Sequence, residues 1–139
     1  MVPRMTPTKI ANEELVAQFE NGTLAPESFH HTEHVQLAFL YLAKYPALEA
    51  LGYFSGGLAR FAKSVGRPEH YNETITWGFL LLIRERLARR GHPQTWEEFA
   101  ASNPDLLDWK DNILKKYYQP ETLASDLARK TFLFPDKTL

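Results

Sequence analysis

The sequence contains no cysteine among its 139 residues. This absence excludes a disulfide scaffold, a thiolate zinc finger, an iron–sulfur cluster and a cysteine nucleophile. The chain also has almost no net charge, since 16 basic and 17 acidic side chains leave a formal charge of −1. We therefore expect no general attraction to nucleic acid or to an anionic membrane surface.

Long apolar segments are also absent. The longest apolar run covers residues 77–83 and is far shorter than the ~20 residues that span a bilayer. Residues 1–5 contain no apolar signal-peptide core. We therefore expect a cytoplasmic protein that does not enter a membrane.

Apolar residues recur at spacings of three and four, which is the pattern of helices with one buried face. No alternating strand pattern lasts long enough to build a sheet. Hydrophobic residues make up 44% and charged residues 24% of the chain, as in ordinary globular proteins. The sequence predicts one all-α domain over residues 1–139, with residues 1–7 poorly ordered. We expect a bundle of about six to seven helices and an apolar C-terminal strap over residues 131–135.

Capping residues, prolines and glycines set the expected helix bounds. Gly66-Arg67-Pro68 is the clearest break in the sequence. Thr95 and Glu98 form a capping box that begins a short helix, which stops at residues 103–104. The other predicted helices cover residues 9–20, 31–44, 47–64, 72–90, 105–118 and 120–130.

Three histidines lie within five residues, at His30, His31 and His34. On a helix, His31 and His34 lie ~60° apart, and His30 and His34 ~40° apart, so either pair shares a face. Two imidazoles on one face can hold a divalent metal if a second helix brings a carboxylate. Ala38 leaves room one turn further on, and the hydroxyl of Tyr41 can donate a hydrogen bond into that room.

Glu73 is the best candidate for the carboxylate of such a site, because it is an acid in the first turn of an otherwise apolar helix. Two interpretations stay open. Glu73 either complements the helix dipole and stays solvated, or completes a two-histidine, one-carboxylate metal site with His31 and His34. His70 and Asn72 are weaker candidates, and the Asn72 amide could orient a bound water or substrate.

Ser125 and Arg129 are four residues apart and share a face of the predicted last helix. Arg129 either pairs with a substrate carboxylate or phosphate, or with Glu73, or it is a structural ion pair or an exposed cation at a helix end. The hypothesis of a catalytic site assigns chemistry to Glu73, Arg129 and Tyr41. It assigns substrate contacts to Tyr71, Asn72 and Ser125.

Three stretches carry a family pattern: residues 19–42, residues 71–76, and residues 117–129 with 134–136. Together they resemble a family of small, uncharacterised bacterial all-helical proteins. The family pattern is roughly F-x-H-x-x-H, then Y-H-E-T-x-T, then Y-x-x-x-x-L-x-S-x-x-A-R followed by P-D. The resemblance implies that the paired histidines are His31 and His34 and that the acid is Glu73. Asn72 stands where the family has His, which removes a third imidazole.

Three functional hypotheses follow. The first is a metalloenzyme in which His31, His34 and Glu73 hold zinc for hydrolysis or iron(II) for oxygen chemistry, with no organic cofactor. The second is a metal-free site for a small molecule or for acid–base chemistry, built from the same residues. The third is a non-catalytic helical ligand-binding or protein-interaction module with structural histidines. An aromatic-lined pocket between helices would favour a site over an interaction module.

Two further expectations concern partners. Aromatic side chains expected on the surface, Trp96, Trp109 and Tyr118, would allow a homodimer. The basic run of residues 84–90 is interspersed with Glu85 and lacks a helix-turn-helix pattern. We interpret it as a solvated helix end and predict no nucleic-acid binding.

Overall fold

The computed structural model describes residues 11–137. The expected disorder of residues 1–7 and the expected helix start at residue 9 lie outside the described residues. Within the described range there is no β-strand. The prediction of an all-α bundle is confirmed.

Eight α-helices follow one another in the described part of the chain. They are α1 (Asn12–Asn21), α2 (His31–Lys44), α3 (Ala47–Ser64), α4 (Glu73–Arg90), α5 (Trp96–Ser102), α6 (Pro104–Leu107), α7 (Pro120–Leu123) and α8 (Asp126–Lys130). Short 3-10 turns lie at Pro26–Ser28, Pro68–His70 and Ile113–Lys116.

The first four helices follow the sequence prediction closely because their ends carry strong local signals. Gly22 ends α1 in the left-handed conformation, with φ at 81°, where glycine has no steric penalty. Glu33 begins α2 by accepting the His30 backbone N–H at 2.7 Å. Gly66 follows α3 with φ at +77°. The Asn72 side chain accepts the Ile75 backbone N–H and caps α4.

The predicted helix over residues 105–118 is wrong. Helix α6 ends at Leu107, and the next regular turn begins only at Ile113. The Asp108 carboxylate accepts the Asp111 backbone N–H at 3.0 Å, and Asn112 accepts the Leu114 N–H at 3.0 Å. Such side chains compete with the helical hydrogen bonds of the backbone, so the chain turns here instead of continuing as a helix.

The predicted helix over residues 120–130 is divided into α7 and α8. Ser125 causes the division, because its hydroxyl accepts the Ala128 backbone N–H at 3.1 Å and caps α8. Asp136 reaches the start of α7 from the tail, where its carboxylate accepts the Gln119 backbone N–H at 2.9 Å. Both residues belong to the C-terminal motif, and both have structural hydrogen bonds.

Helices α2 and α4 pack against each other at the centre of the bundle, with α1 and α3 against α2 and α8 against α4. Leu37 on α2 and Leu80 and Ile83 on α4 are fully buried. Gly57 on α3 faces the ring of Phe19, and a Cβ atom there would lie 2.3 Å from a ring carbon. Glycine at this position is what allows α1 to approach α3 so closely.

The C-terminal segment lies across α4, as expected for an apolar strap. Thr74 holds it: the single proton of the Thr74 hydroxyl is shared between the carbonyl oxygens of Ala128 and Thr131, each 2.9 Å away, and the hydroxyl oxygen accepts the Leu133 N–H. The ring of Phe132 stacks on Trp77 at 5.5 Å. One strap residue departs from the prediction, since Phe134 is 82% exposed.

Two of the three aromatic residues expected on the surface lie in the core. Trp96 and Tyr118 are buried, whereas Trp109 is half exposed. The basic run of residues 84–90 forms the C-terminal end of α4. Two of its arginines are in ion pairs, Arg86 with Asp105 and Arg89 with Glu85. Among the described helices, none has the length and apolar character needed to cross a membrane.

Candidate functional site

A cavity of about 1150 Å³ lies between α2, α3 and α4. The 3-10 turn Pro68–His70 and the segments around Trp109 and Leu123 complete its wall. Most lining side chains are apolar; those that define the wall are Phe29, Phe54, Phe61, Ile75, Phe79 and Trp109. Sites for small molecules are typically mostly apolar clefts of about 300–1000 Å³ with a few polar groups, so this cavity is large enough for one.

His31 lies on the cavity wall between two aromatic rings. Its imidazole centroid is 4.8 Å from that of Phe79 and 4.9 Å from that of Trp109. The Nε2 atom is 2.9 Å from the carbonyl oxygen of Leu106. Because a carbonyl only accepts, neutral His31 carries its proton on Nε2, which leaves a lone pair on Nδ1. Burial lowers the pKa of His31, against the opposing effects of the Leu106 carbonyl and Asp108.

His34 also lines the cavity, and its ring packs edge-on against Phe29 at 4.2 Å. Burial, with smaller contributions from His31 and His30, lowers the pKa of His34 to about 4. Both imidazoles are therefore neutral at pH 7. Among residues 11–137, the imidazole ring of His34 has no hydrogen-bond partner, so its nitrogens are available to a ligand.

Glu73 is not among the cavity-lining residues. Its carboxylate accepts a hydrogen bond from the Tyr71 hydroxyl, and together with burial this raises the pKa of Tyr71. The described chain contains no group of three or more His, Asp or Glu side chains placed to hold a metal ion. The structure thus brings His31 and His34 together without Glu73, and the metal hypothesis stays a prediction.

Asn72 and Tyr71 do line the cavity, as the substrate-binding hypothesis requires. The Asn72 amide is already used, because its Nδ2 donates to the Leu123 carbonyl at 2.9 Å while its oxygen caps α4. Ser125 lies outside the lining and caps α8. Asn72 therefore joins the start of α4 to the end of α7, and Ser125 has a capping role.

Tyr41 lies away from the cavity. Its hydroxyl donates to the Glu20 carboxylate at 2.7 Å, and its ring stacks on Tyr53. Burial, and then this hydrogen bond, raise the pKa of Tyr41. Ala38 is fully buried and provides no open space next to His34. The helical face that continues from His34 thus leads into a separate tyrosine cluster.

Two arginines line the cavity near the turn Pro68–His70. Arg129 donates to the backbone carbonyl of Glu69 at 3.3 Å and pairs with the exposed Asp126. Arg67 precedes that turn directly and is exposed, and its side chain has no hydrogen bond or ion pair with another described residue. Of the two, only Arg129 was a candidate from sequence.

Sequence reasoning missed most of the cavity wall. Phe54, Phe61 and Phe79 occupy helical core positions, and no sequence pattern distinguishes an aromatic residue that lines a cavity from one that fills a core. Arg67 could have been found from the sequence, since it lies in the Gly66-Arg67-Pro68 break between two predicted helices, where a cation is well placed for the rim of a site. Trp109 could not be placed because the helix predicted around it does not form.

No family model, no curated protein and no solved structure matches the chain. The family resemblance of the three motifs therefore stays a prediction.

Proposed function

We propose that the protein binds a small, largely apolar molecule in the cavity between α2, α3 and α4, with the neutral imidazoles of His31 and His34 as its polar recognition groups. The observation that supports this most directly is His34, a neutral imidazole without a described hydrogen-bond partner on an aromatic wall.

The recognition chemistry follows from the protonation of the two rings. His31 offers the Nδ1 lone pair as an acceptor, because its Nε2 proton is used by Leu106. Neutral His34 offers one donor and one acceptor. A ligand with an apolar body and one hydroxyl or amide group fits these partners. Because the imidazoles are uncharged, they need no counter-ion in the cavity.

Binding is favoured over acid–base catalysis in this cavity. A general base works best when its pKa lies near the operating pH. A pKa of about 4 makes His34 a weak base at neutral pH, and the carboxylate that was expected to assist it is bonded to Tyr71.

Fluorescence of the apolar dye N-phenylnaphthylamine tests the proposal. Wild-type protein is expected to bind it saturably and one-to-one, with a strong rise in emission. Ala62→Phe places a ring in the cavity, since Ala62 is a buried lining residue, and should abolish binding. Ala101→Phe adds the same ring at an exposed position outside the cavity and should not. Equal binding by both variants, each shown to be folded by circular dichroism, would overturn the proposal.

A divalent metal held by His31 and His34 is the second candidate. The observation that favours it is the His31 hydrogen bond to a backbone carbonyl, because metal-ligating histidines commonly donate their other ring N–H in this way. The number of ligands argues against it, since His31 and His34 provide two, whereas catalytic zinc sites usually have three protein ligands. Zinc or iron(II) at His31 and His34 would provide the hydrolytic or oxygen chemistry expected from sequence.

Mass-spectrometric metal analysis separates this candidate from the apolar site. Protein incubated with zinc or iron(II) and then desalted should retain one equivalent if the metal site exists. His31→Ala and His34→Ala should lose it, and His92→Ala, at an exposed position outside this cavity, should keep it. Retention equal in all four proteins, or no retention, contradicts the metal candidate. If dye binding is absent as well, an interaction module with structural histidines is what remains.

A further inference from the structure

The charged residues of the cavity wall are not evenly distributed. The buried lining positions Phe29, Phe54 and Phe79 are apolar. The lysines, arginines and acids of the lining are Arg67, Glu69 and Arg129. All three lie at or beside the turn Pro68–His70, so the cavity has an uncharged interior and one charged rim.

Arg67 and Arg129 come from distant parts of the sequence but meet at this rim. The Arg129 guanidinium donates to the backbone carbonyl of Glu69, only two residues after Arg67. Arg129 has one further partner, the exposed carboxylate of Asp126. The guanidinium group of Arg67 has no hydrogen-bond or ion-pair partner among the described residues. An arginine side chain without a described partner, on the same cavity rim as a second arginine, leaves a site for a negative charge.

No acid among the described residues forms an ion pair with Arg67. Glu69 is the only acid among the described lining residues, and its side chain is 60% exposed, with the His70 imidazole 3.9 Å from it. Asp126 already pairs with Arg129, so Arg67 is the cation of the rim whose charge has no described ion-pair partner. Arginine is also the side chain whose planar, five-donor group best matches a carboxylate or phosphate.

We infer that the ligand is an amphiphilic anion, whose apolar body lies in the cavity between α2, α3 and α4 and whose anionic head group is held by Arg67 and Arg129. This inference rests on the proposed function, because it names the class of the molecule that the cavity takes. A monocarboxylate whose apolar body also has one hydroxyl or amide group for His31 and His34 meets both requirements, and a monophosphate ester places its negative charge at the same end.

Displacement of N-phenylnaphthylamine by octanoate, octyl phosphate and octanol tests the inference. The three competitors share one apolar body and differ in the head group. The measured quantity is the ratio of the Kd of each anion to the Kd of octanol. This ratio removes effects that a substitution has on the cavity as a whole.

Arg67→Gln is the informative variant, because its side chain has no described contact whose loss would disturb the fold. It should raise the octanoate ratio about fivefold, the size of a partly exposed ion pair, while the Kd of octanol stays unchanged. Lys63→Gln removes the same charge from an exposed position one turn earlier, outside the cavity lining, and should leave the ratio unchanged. The octyl phosphate ratio shows whether the rim prefers phosphate to carboxylate.

The failures of the two proposals are distinguishable. If the dye and octanol bind but Arg67→Gln and Lys63→Gln change the octanoate ratio equally, the inference of an anionic head group is wrong and the apolar site stands. If neither the dye nor octanol binds, the proposed function is wrong, and this inference is wrong with it.

Discussion

The Nε2 atom of His31 lies 2.9 Å from the carbonyl oxygen of Leu106, a residue 75 positions away in the chain. This hydrogen bond joins the first residue of α2 to α6 and determines which nitrogen of the ring carries the proton. The polar chemistry of the cavity depends on it, because it leaves the Nδ1 lone pair of His31 as an acceptor.

NMR of the ring nitrogens tests this relationship. His31 should be neutral at pH 7 with a protonated Nε2, and that proton should exchange slowly enough with water to be observed. The ring of His70 is 61% exposed and should show no such protected proton. A His31 signal with the proton on Nδ1, or a ring proton that exchanges as fast as that of His70, contradicts the arrangement.

The pKa of His34 makes stability depend on pH. The folded-state pKa is about 4 against an ordinary value of 6.5, so the unfolded chain binds more protons between these values. The free energy of unfolding should have its full value above about pH 6.5 and decrease as the pH falls towards 4. His34 should account for about 2–3 kcal/mol of this decrease. His31 contributes in the same direction, because its pKa is also lowered.

Guanidinium denaturation at pH 7.5 and at pH 4.5 measures this dependence. His34→Gln should lose much less stability over the interval than the wild type does. His70→Gln, at the exposed position, should lose as much as the wild type. The explanation fails if His34→Gln and the wild type have the same pH dependence.

Gly57 and Gly52 lie on the same helix but should respond oppositely to alanine. A Cβ at Gly57 would lie 2.3 Å from Phe19, and Gly52 has no neighbour within 4 Å of that position. Gly57→Ala should destabilise by about 1–3 kcal/mol through overpacking. Gly52→Ala should stabilise by up to about 1 kcal/mol, because alanine is the better helix former. Thermal unfolding of both variants checks this, and a neutral Gly57→Ala would contradict the close approach of α1.

Thr74→Val should release the C-terminal strap. Valine keeps the shape of threonine but leaves the Ala128 and Thr131 carbonyls and the Leu133 N–H without their shared partner. The expected loss of stability is about 2–4 kcal/mol, with faster amide exchange over residues 128–134. Thr32→Val, at an exposed position on α2, should change the free energy of unfolding by no more than about 0.5 kcal/mol. Unchanged exchange in Thr74→Val would show that the strap is held by its aromatic contacts instead.

The sequence predicted helices accurately where the ends carry their own signals. The bounds of α2 and α3 agree with the prediction, because Pro46 and Gly66 act locally. The prediction was wrong for residues 105–118 and 120–130, where Asp108 and Ser125 bind nearby backbone groups. An aspartate or serine within an apolar helical pattern can stay helical or turn the chain, and periodicity alone does not distinguish these outcomes.

The candidate site was predictable in part. His31 and His34 share the cavity because one helix carries both, which spacing alone can predict. The absence of Glu73 from the cavity was not predictable, since it follows from the way α4 is turned and from the hydrogen bond of Tyr71 to Glu73. The position of Arg67 and Arg129 on one cavity rim was equally hidden, because it depends on α8 lying beside the turn Pro68–His70.

An NMR titration of isotopically labelled protein with octanol tests the central claim most directly, because it shows where an apolar molecule binds. We expect saturable chemical-shift changes concentrated on cavity residues, with Phe29, His34 and Ile75 among the largest, and little change at the exposed Leu48 on α3. Shifts that spread over exposed apolar residues such as Leu48 and Phe134, or no saturable shift at His34, would contradict it.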